Sequence, residues 1–142
     1  MELALVVDHD TLRDELARAL RRCGWFACVE RHTRYRRPNG WLVNGRVDFF
    51  AANAGDVIVG EIDGRVPRWK SVSKAALHPR ATKVFVLRGM RSAAETTDRL
   101  VGVDRWIVID AWSGRTLDPW GLMRRPLELP SMVGGARAKG WV

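Results

Sequence analysis

Two acidic residues thirteen positions apart, Asp48 and Glu61, are the side chains of this chain whose types and spacing suit chemistry. They lie within RVDFFAANAGDVIVGEID, residues 46–63. Read as two strands, Val47–Ala52 turns through Asn53-Ala54-Gly55 and returns as Asp56–Ile62, since Asn and Gly suit a tight hairpin turn. A hairpin would bring the two carboxylates together across the ladder. Paired carboxylates are what a divalent cation takes from a protein, with waters and phosphate oxygens completing its shell. Such an ion activates water and neutralises charge on a phosphodiester.

The elements that must position them can be read along the chain. Residues 2–7 (ELALVV) suit a strand. A helix starts at Asp8-His9-Asp10-Thr11, where Thr11 and Asp14 have the spacing of a capping box. Leu12, Leu16, Ala19, Leu20 and Cys23 then form one apolar helical stripe, and Gly24 closes it. Cys23 on that stripe and Cys28 in a strand read as core rather than as nucleophiles. Trp25–Val29 is a strand, Pro38-Asn39-Gly40 a turn, and 57–62 a strand. A helix over 68–77, a strand over 83–87, a helix over 92–101 capped by Ser92, and a strand over 106–109 follow. Trp25, Trp106 and Trp112 read as core. The order predicts a three-layer α/β sandwich with a central mixed sheet flanked by helices, in one domain over 1–114. Residues 115–142, broken by Pro and Gly, read as an irregular tail partly packed on the domain through Trp120, Leu122, Met123 and Leu127.

The chain has 142 residues, a net charge of +8 and 46% apolar residues, enough for a real core. No apolar run is long enough to span a bilayer, and no basic segment precedes an apolar stretch at the start. A cytoplasmic location without membrane contact is the expectation. Two cysteines are too few for a disulfide scaffold. The three histidines show no HxxxH or HExxH spacing, and there is no Gly-rich phosphate loop or nucleophile elbow. Residues 64–91 contain eight basic residues and no acid, equal to the whole net charge. They read as a surface beside the suspected metal carboxylates. A second basic stretch, Arg31, Arg34, Arg36 and Arg37, has Tyr35 inside it and Trp41 nearby. Together with Arg65 and Arg68 it suits a surface that tracks phosphates, with Trp41 and Trp69 available for stacking.

From about Leu12 to Leu87 the chain resembles the PD-(D/E)XK nuclease superfamily. The resemblance rests on a helix bearing Glu15, a strand after Gly24-Trp25, then Arg46-Val47-Asp48, then Gly60-Glu61-Ile62-Asp63. In size, basicity and Asp-to-Glu spacing it is similar to archaeal-type Holliday-junction resolvases. The Glu-x-Asp-Gly ending is similar to relatives of very-short-patch-repair endonucleases. The resemblance implies a restriction-endonuclease-like fold and a Mg²⁺- or Mn²⁺-dependent endonuclease acting on branched or structured DNA, as in DNA repair and recombination. Asp48 and Glu61 would be the metal ligands, completed by the Ile62 carbonyl. Glu15 or Asp63 would assist as an accessory acid, and a homodimer is implied. The family usually has Lys two residues after the Glu, where this chain has Asp63. The missing cation would then come from Lys70 or Lys74 on the following helix.

A second, weaker resemblance is to response-regulator receiver domains, over 3–111. Leu5-Val6-Val7-Asp8 looks like their first strand, and Asp56–Glu61 like their third, with Glu61 at the phosphoacceptor. The switch position would be Arg88 and the usual Lys position Ile109, so this implies a degenerate regulatory domain that binds a partner protein. It needs Val47, Phe50, Ala51 and Ala54 to form a helical stripe. The nuclease resemblance needs the same residues in a strand. A DNA-binding module without catalysis remains a further alternative.

Overall fold

The computed structural model describes residues 8–122. The strand expected over 2–7, and Met123 and Leu127 of the tail, lie outside the described residues. The helical stripe forms α1, His9–Arg22, with Leu12, Leu16, Ala17, Ala19 and Leu20 buried. Its cap is Asp8, three residues before the expected Thr11, and the Asp8 carboxylate accepts from both Thr11 N and Thr11 Oγ1 at 2.9 Å. Asp14 has no part in the cap and pairs with Arg13. The helix ends before Cys23, which becomes an exposed C-cap residue rather than core.

Next come β1 (Phe26–Arg36), β2 (Leu42–Asn53) and β3 (Asp56–Asp63), joined as an antiparallel meander. Residues 46–53 are therefore strand, not the helix that the receiver resemblance implied. Ala54 (φ 50°) and Gly55 (φ 89°) make the turn between β2 and β3; two left-handed residues match the twist of a tight hairpin. Then follow α2 (Trp69–Ala76), β4 (Thr82–Leu87), α3 (Ala93–Arg99) and β5 (Trp106–Asp110). Ser92 caps α3, accepting from Glu95 N. The tail is not wholly irregular. Thr116–Leu117 forms β6 against β5, and Leu122 packs on the core while Trp120 is half exposed.

Among the described residues the six strands make one mixed sheet in sequence order, with β3, β4 and β5 parallel and the other neighbours antiparallel. Every residue of β4 and β5 is buried, as expected of parallel strands with helices on both faces. α1 covers one face, with Leu12, Leu16 and Leu20 over Phe49, Ile58, Ile62, Val84 and Ile107. The other face carries Ala75 of α2 and Leu100 at the end of α3 on Phe85, Leu87 and Val108. The molecule is thus an α/β sandwich, helix on sheet on two helices. Among the described residues no helix is long and apolar enough to cross a membrane.

Gly60 is set by close approach rather than by backbone angle. A Cβ there would lie 2.1 Å from the ring of Phe49, which is fully buried across from it. Gly60→Ala is expected to cost about 1–3 kcal/mol as an overpacked core, read as a lower urea midpoint at unchanged m-value.

Candidate active site

The β2–β3 ladder runs from the turn only as far as Phe49 opposite Gly60. The next pair would be Asp48 and Glu61, and there the backbone pairing stops. Side chains take over the backbone donors. Asp48 N donates to Glu61 Oε2 at 2.9 Å, and Ile62 N donates to Asp48 Oδ2 at 2.7 Å. Pairing between β1 and β2 lapses at the same level, between Val29–Phe49 and Arg31–Val47. The residue opposite Asp48 is Glu30, held at φ 53°. A left-handed backbone at a non-glycine residue stores strain, and such residues gather at functional sites. Glu30 is anchored by Arg13 of α1 at 2.8 Å. Asp48 therefore sits where both neighbouring strands leave it, at the end of the sheet where β3 finishes.

The two acidic residues that the sequence singles out are thus brought together. Glu61 is almost wholly buried and Asp48 mostly so. Burial, and then the neighbouring Asp48 charge, push the Glu61 carboxyl up to about 8, although Lys74 pulls the other way. Lys74, in the last turn of α2, forms an ion pair with Glu61 Oε1 and donates to the Arg46 carbonyl at 2.7 Å. Its side chain is only 8% exposed. Lys74 is thus the lysine that meets the carboxylates. Lys70, one turn earlier, stands over the Tyr35 ring, 5.0 Å from its centroid.

Two of the expected accessory acids have other work. Asp63 is buried, and its carboxylate accepts from Arg68 N (3.1 Å), Arg68 Nε (2.7 Å) and Ser71 Oγ (3.0 Å). Arg68 is the N-cap position of α2 and makes no side-chain cap of its own. Asp63 supplies that acceptor from the sheet, and so fixes the helix that carries Lys74. Asp63→Ala should destabilise the protein by about 2–4 kcal/mol, from the lost cap and the stranded Ser71 hydroxyl. Thermal melts and urea titrations would measure it. Glu15 lies midway along α1 and pairs with Arg18.

In place of Glu15, α1 brings His9. Its Nε2 lies 3.2 Å from Asp48 Oδ1, and its Nδ1 lies 2.9 Å from Asp10 Oδ1. Sequence reasoning passed over His9 because it belongs to no histidine motif. The available signal was its position at the start of the helix that precedes the carboxylate hairpin.

The basic residues separate into different environments. Of the segment 64–91, Lys74 pairs with Glu61, Lys83 is fully buried against Asp104, Arg68 pairs with Asp63, and Arg91 with Glu95. Lys74 and Lys83 thus leave that surface, because β4 and the inner side of α2 pass through the core, while Arg68, Lys70, Arg80 and Arg91 stay exposed. The β1–β2 arm is a second open positive surface. Arg34, Arg36 and Arg37 are exposed on β1 and its turn, and Arg46 on β2. Arg31 is exposed too, its guanidinium 3.9 Å from the Phe50 ring centroid. Arg65 is half-buried in the loop after β3.

Among the described residues, no group of three or more His, Cys, Asp and Glu side chains is disposed to hold a metal ion by itself. The donor set is the Asp48–Glu61 pair. That still fits Mg²⁺, which uses one or two carboxylates and keeps several waters. The Asp48 repulsion that adds to burial in raising Glu61 is also what a bound cation would relieve.

No family model matches this chain, and no curated protein matches it. Among solved structures it is similar to a crystallised protein of unknown function, AF1548, at 13% identity over 69% of this chain with a TM-score of 0.47. The chain spans 56% of that protein's length.

Proposed function

We propose that this chain is a metal-dependent DNA endonuclease of the PD-(D/E)XK type that hydrolyses phosphodiesters in branched or structured DNA. The observation that carries the reading is the trio Asp48, Glu61 and Lys74, from β2, β3 and α2, meeting where the β2–β3 ladder ends. The element order supports a restriction-endonuclease-like sandwich: a helix, then a strand after Trp25, then Asp48 and Glu61 on consecutive strands, then a helix and a parallel strand. Lys74 supplies from α2 the cation that the family usually carries two residues after the Glu.

Asp48 and Glu61 would hold Mg²⁺ or Mn²⁺, which supplies a water of lowered pKa and neutralises charge on the phosphate. The hydrogen bonds from Ile62 N and Asp48 N fix how the two carboxylates face each other. The Lys74 ammonium, held by the Arg46 carbonyl, would stabilise charge developing on the phosphodiester oxygens. His9 orients Asp48 through its Oδ1. Arg34, Arg36, Arg37 and Arg46 on the arm would bind phosphates on either side of the scissile bond and set the register of the strand.

One observation favours a second reading, a DNA-binding module without cleavage. The Lys74 ammonium, with the proton that Glu61 keeps below about pH 8, offsets the two carboxyls with no metal needed. Cleavage of labelled junction, flap and duplex DNA with Mg²⁺ or Mn²⁺ separates the two. Metal-dependent nicking that vanishes in Asp48→Ala and Glu61→Ala supports the nuclease. Salt-sensitive binding with no nicking under either metal selects the binding module. Sedimentation of the same preparation tests for the homodimer.

A further inference from the structure

Beside the carboxylate site, α2 borders a groove of about 370 Å³ against the turn of the β1–β2 arm. Trp69, Val72 and Ala76 form one wall, and Arg36, Arg37 and Gly40 the other. The arm is held to the helix by Ser73 Oγ, which donates to the Arg36 carbonyl at 2.9 Å and accepts from Arg36 N at 3.1 Å. The groove is therefore a built feature and not a chance gap under a loose turn. Its volume lies near the lower end of the roughly 300–1,000 Å³ typical of small-molecule sites. No carboxylate lines it, two arginines do, and Trp69 is 47% exposed.

We infer that this groove takes an unpaired nucleobase of the DNA strand bound at the carboxylate site, stacked on Trp69, with Arg37 and Arg36 beside its phosphates. This rests on the nuclease reading and narrows its substrate to DNA with a single-stranded segment. Three observations converge. A wall of Trp, Val and Ala suits the flat faces of a base, which stack on aromatic rings whatever the sequence. The facing arginines supply the complementary charge for a polyanion. The same helix turns Lys74 to Glu61 and Trp69 to the groove. Trp69 and Lys74 stand five residues apart on α2, about 7.5 Å along its axis, which is about two stacked nucleotides at roughly 3.4 Å each. In an intact duplex the bases are paired and stacked inward, and none is available to enter.

The test is fluorescence anisotropy of the full chain, in EDTA, with a labelled oligothymidylate of about 15 nucleotides, near the largest single-strand site sizes, and a duplex of equal length. Trp69→Ala should weaken single-strand binding by about 5- to 150-fold, the worth of one stacked base, and Trp69→Phe should keep most of it. Duplex affinity, carried by phosphates, should change by about twofold or less. Ala76→Leu fills the groove from an exposed position without touching the tryptophan, and should also weaken single-strand binding. Circular dichroism melts report whether each variant folds. Unchanged single-strand affinity in both Trp69→Ala and Ala76→Leu overturns the inference, as does an equal loss on single strand and duplex. Binding of neither nucleic acid by the native chain also overturns it and leaves a protein partner as the occupant. The nuclease reading fails separately. A native chain that cuts no DNA with Mg²⁺ or Mn²⁺, yet prefers single strands through Trp69, refutes cleavage and supports the groove. Cleavage that ignores Trp69 and unpaired bases does the reverse.

Discussion

Glu61→Gln, or Asp48→Asn, should reduce metal-dependent cleavage by about 10³-fold or more, since the lost term is several kcal/mol of metal chemistry at tenfold per 1.4 kcal/mol. Either amide is close in shape to the acid it replaces. It keeps an oxygen for the backbone N–H across the opened ladder, so the fold should survive. The loss therefore reports on the carboxylate charge and not on collapse of the β2–β3 pair. Single-turnover cleavage of a labelled flap, with the variants' melting curves beside it, measures both. Cleavage within a few-fold of the native rate in either variant would remove the site from the mechanism.

The same residue makes the protein's stability depend on pH. Glu61 is raised from 4.5 to about 8 by burial and by Asp48, so between those values the folded chain holds a proton that the unfolded chain releases. Its stabilising contribution is therefore complete below about pH 4.5 and lost as pH rises to about 8. Without metal, the native melting temperature should fall across that window by about 10 °C or more beyond that of Glu61→Gln, the order that a rise from 4.5 to about 8, roughly 5 kcal/mol, gives in a domain of this size. Mg²⁺ or Mn²⁺ should oppose the fall by binding the folded, ionised form, and should do so less in the Gln variant. The metal concentration needed for half-maximal cleavage should drop as pH rises toward 8. Parallel pH profiles for the native and Gln proteins would count against a buried titrating Glu61.

Lys74→Met is expected to show how much that pair matters. Removing one partner of a buried ion pair costs about 3–5 kcal/mol when the other must stay charged. Glu61 can escape by taking up a proton, so the loss should be small near pH 6 and approach that range above pH 9. The double variant Lys74→Met/Glu61→Gln should recover most of it. Urea titrations of the four proteins at both pH values form the double-mutant cycle. Cleavage in Lys74→Met should fall by about 10²–10³-fold at every pH, as for loss of one preorganised charge-stabilising donor. A stability loss that is flat with pH, or one the double variant does not repair, would show that Lys74 contributes packing and the Arg46 hydrogen bond rather than charge.

The parts of the molecule legible in the sequence are those set by local chemistry. The stripe Leu12–Leu16–Leu20 specifies α1, Gly55 marks the turn, and Ser92 with Glu95 specifies the start of α3. Counting through an Asn53-Ala54-Gly55 turn puts the two acids on facing strands but sets Asp48 opposite Gly60; the tighter turn at Ala54-Gly55, with Asn53 paired to Asp56, is what sets Asp48 opposite Glu61. What counting cannot show is where the ladder opens. Asp48 and Glu61 replace backbone pairing at the level where β1 also parts from β2, beside Glu30. Asp63 read as a catalytic acid from its place beside the motif. Its role as the cap of α2 depends on a loop that returns Arg68 N to it.

Charge shows the same division. The amino-acid sequence alone determined the number of basic residues, their clustering at 31–37 and 64–91, and the alternation of strand and helix that yields a three-layer α/β domain. Tertiary structure decided what each charge does. Lys83 and Lys74 are drawn inside because Asp104 and Glu61 await them, while Arg34, Arg36 and Arg37 stay in solvent on an arm that extends past the core. It also decided that His9 replaces Glu15 beside Asp48, and that Lys74 rather than Lys70 reaches Glu61. Helix and turn signals act within a few residues. An ionised group meets its partner only where two elements distant in sequence pack together, and its cost or benefit is set by the burial that packing imposes.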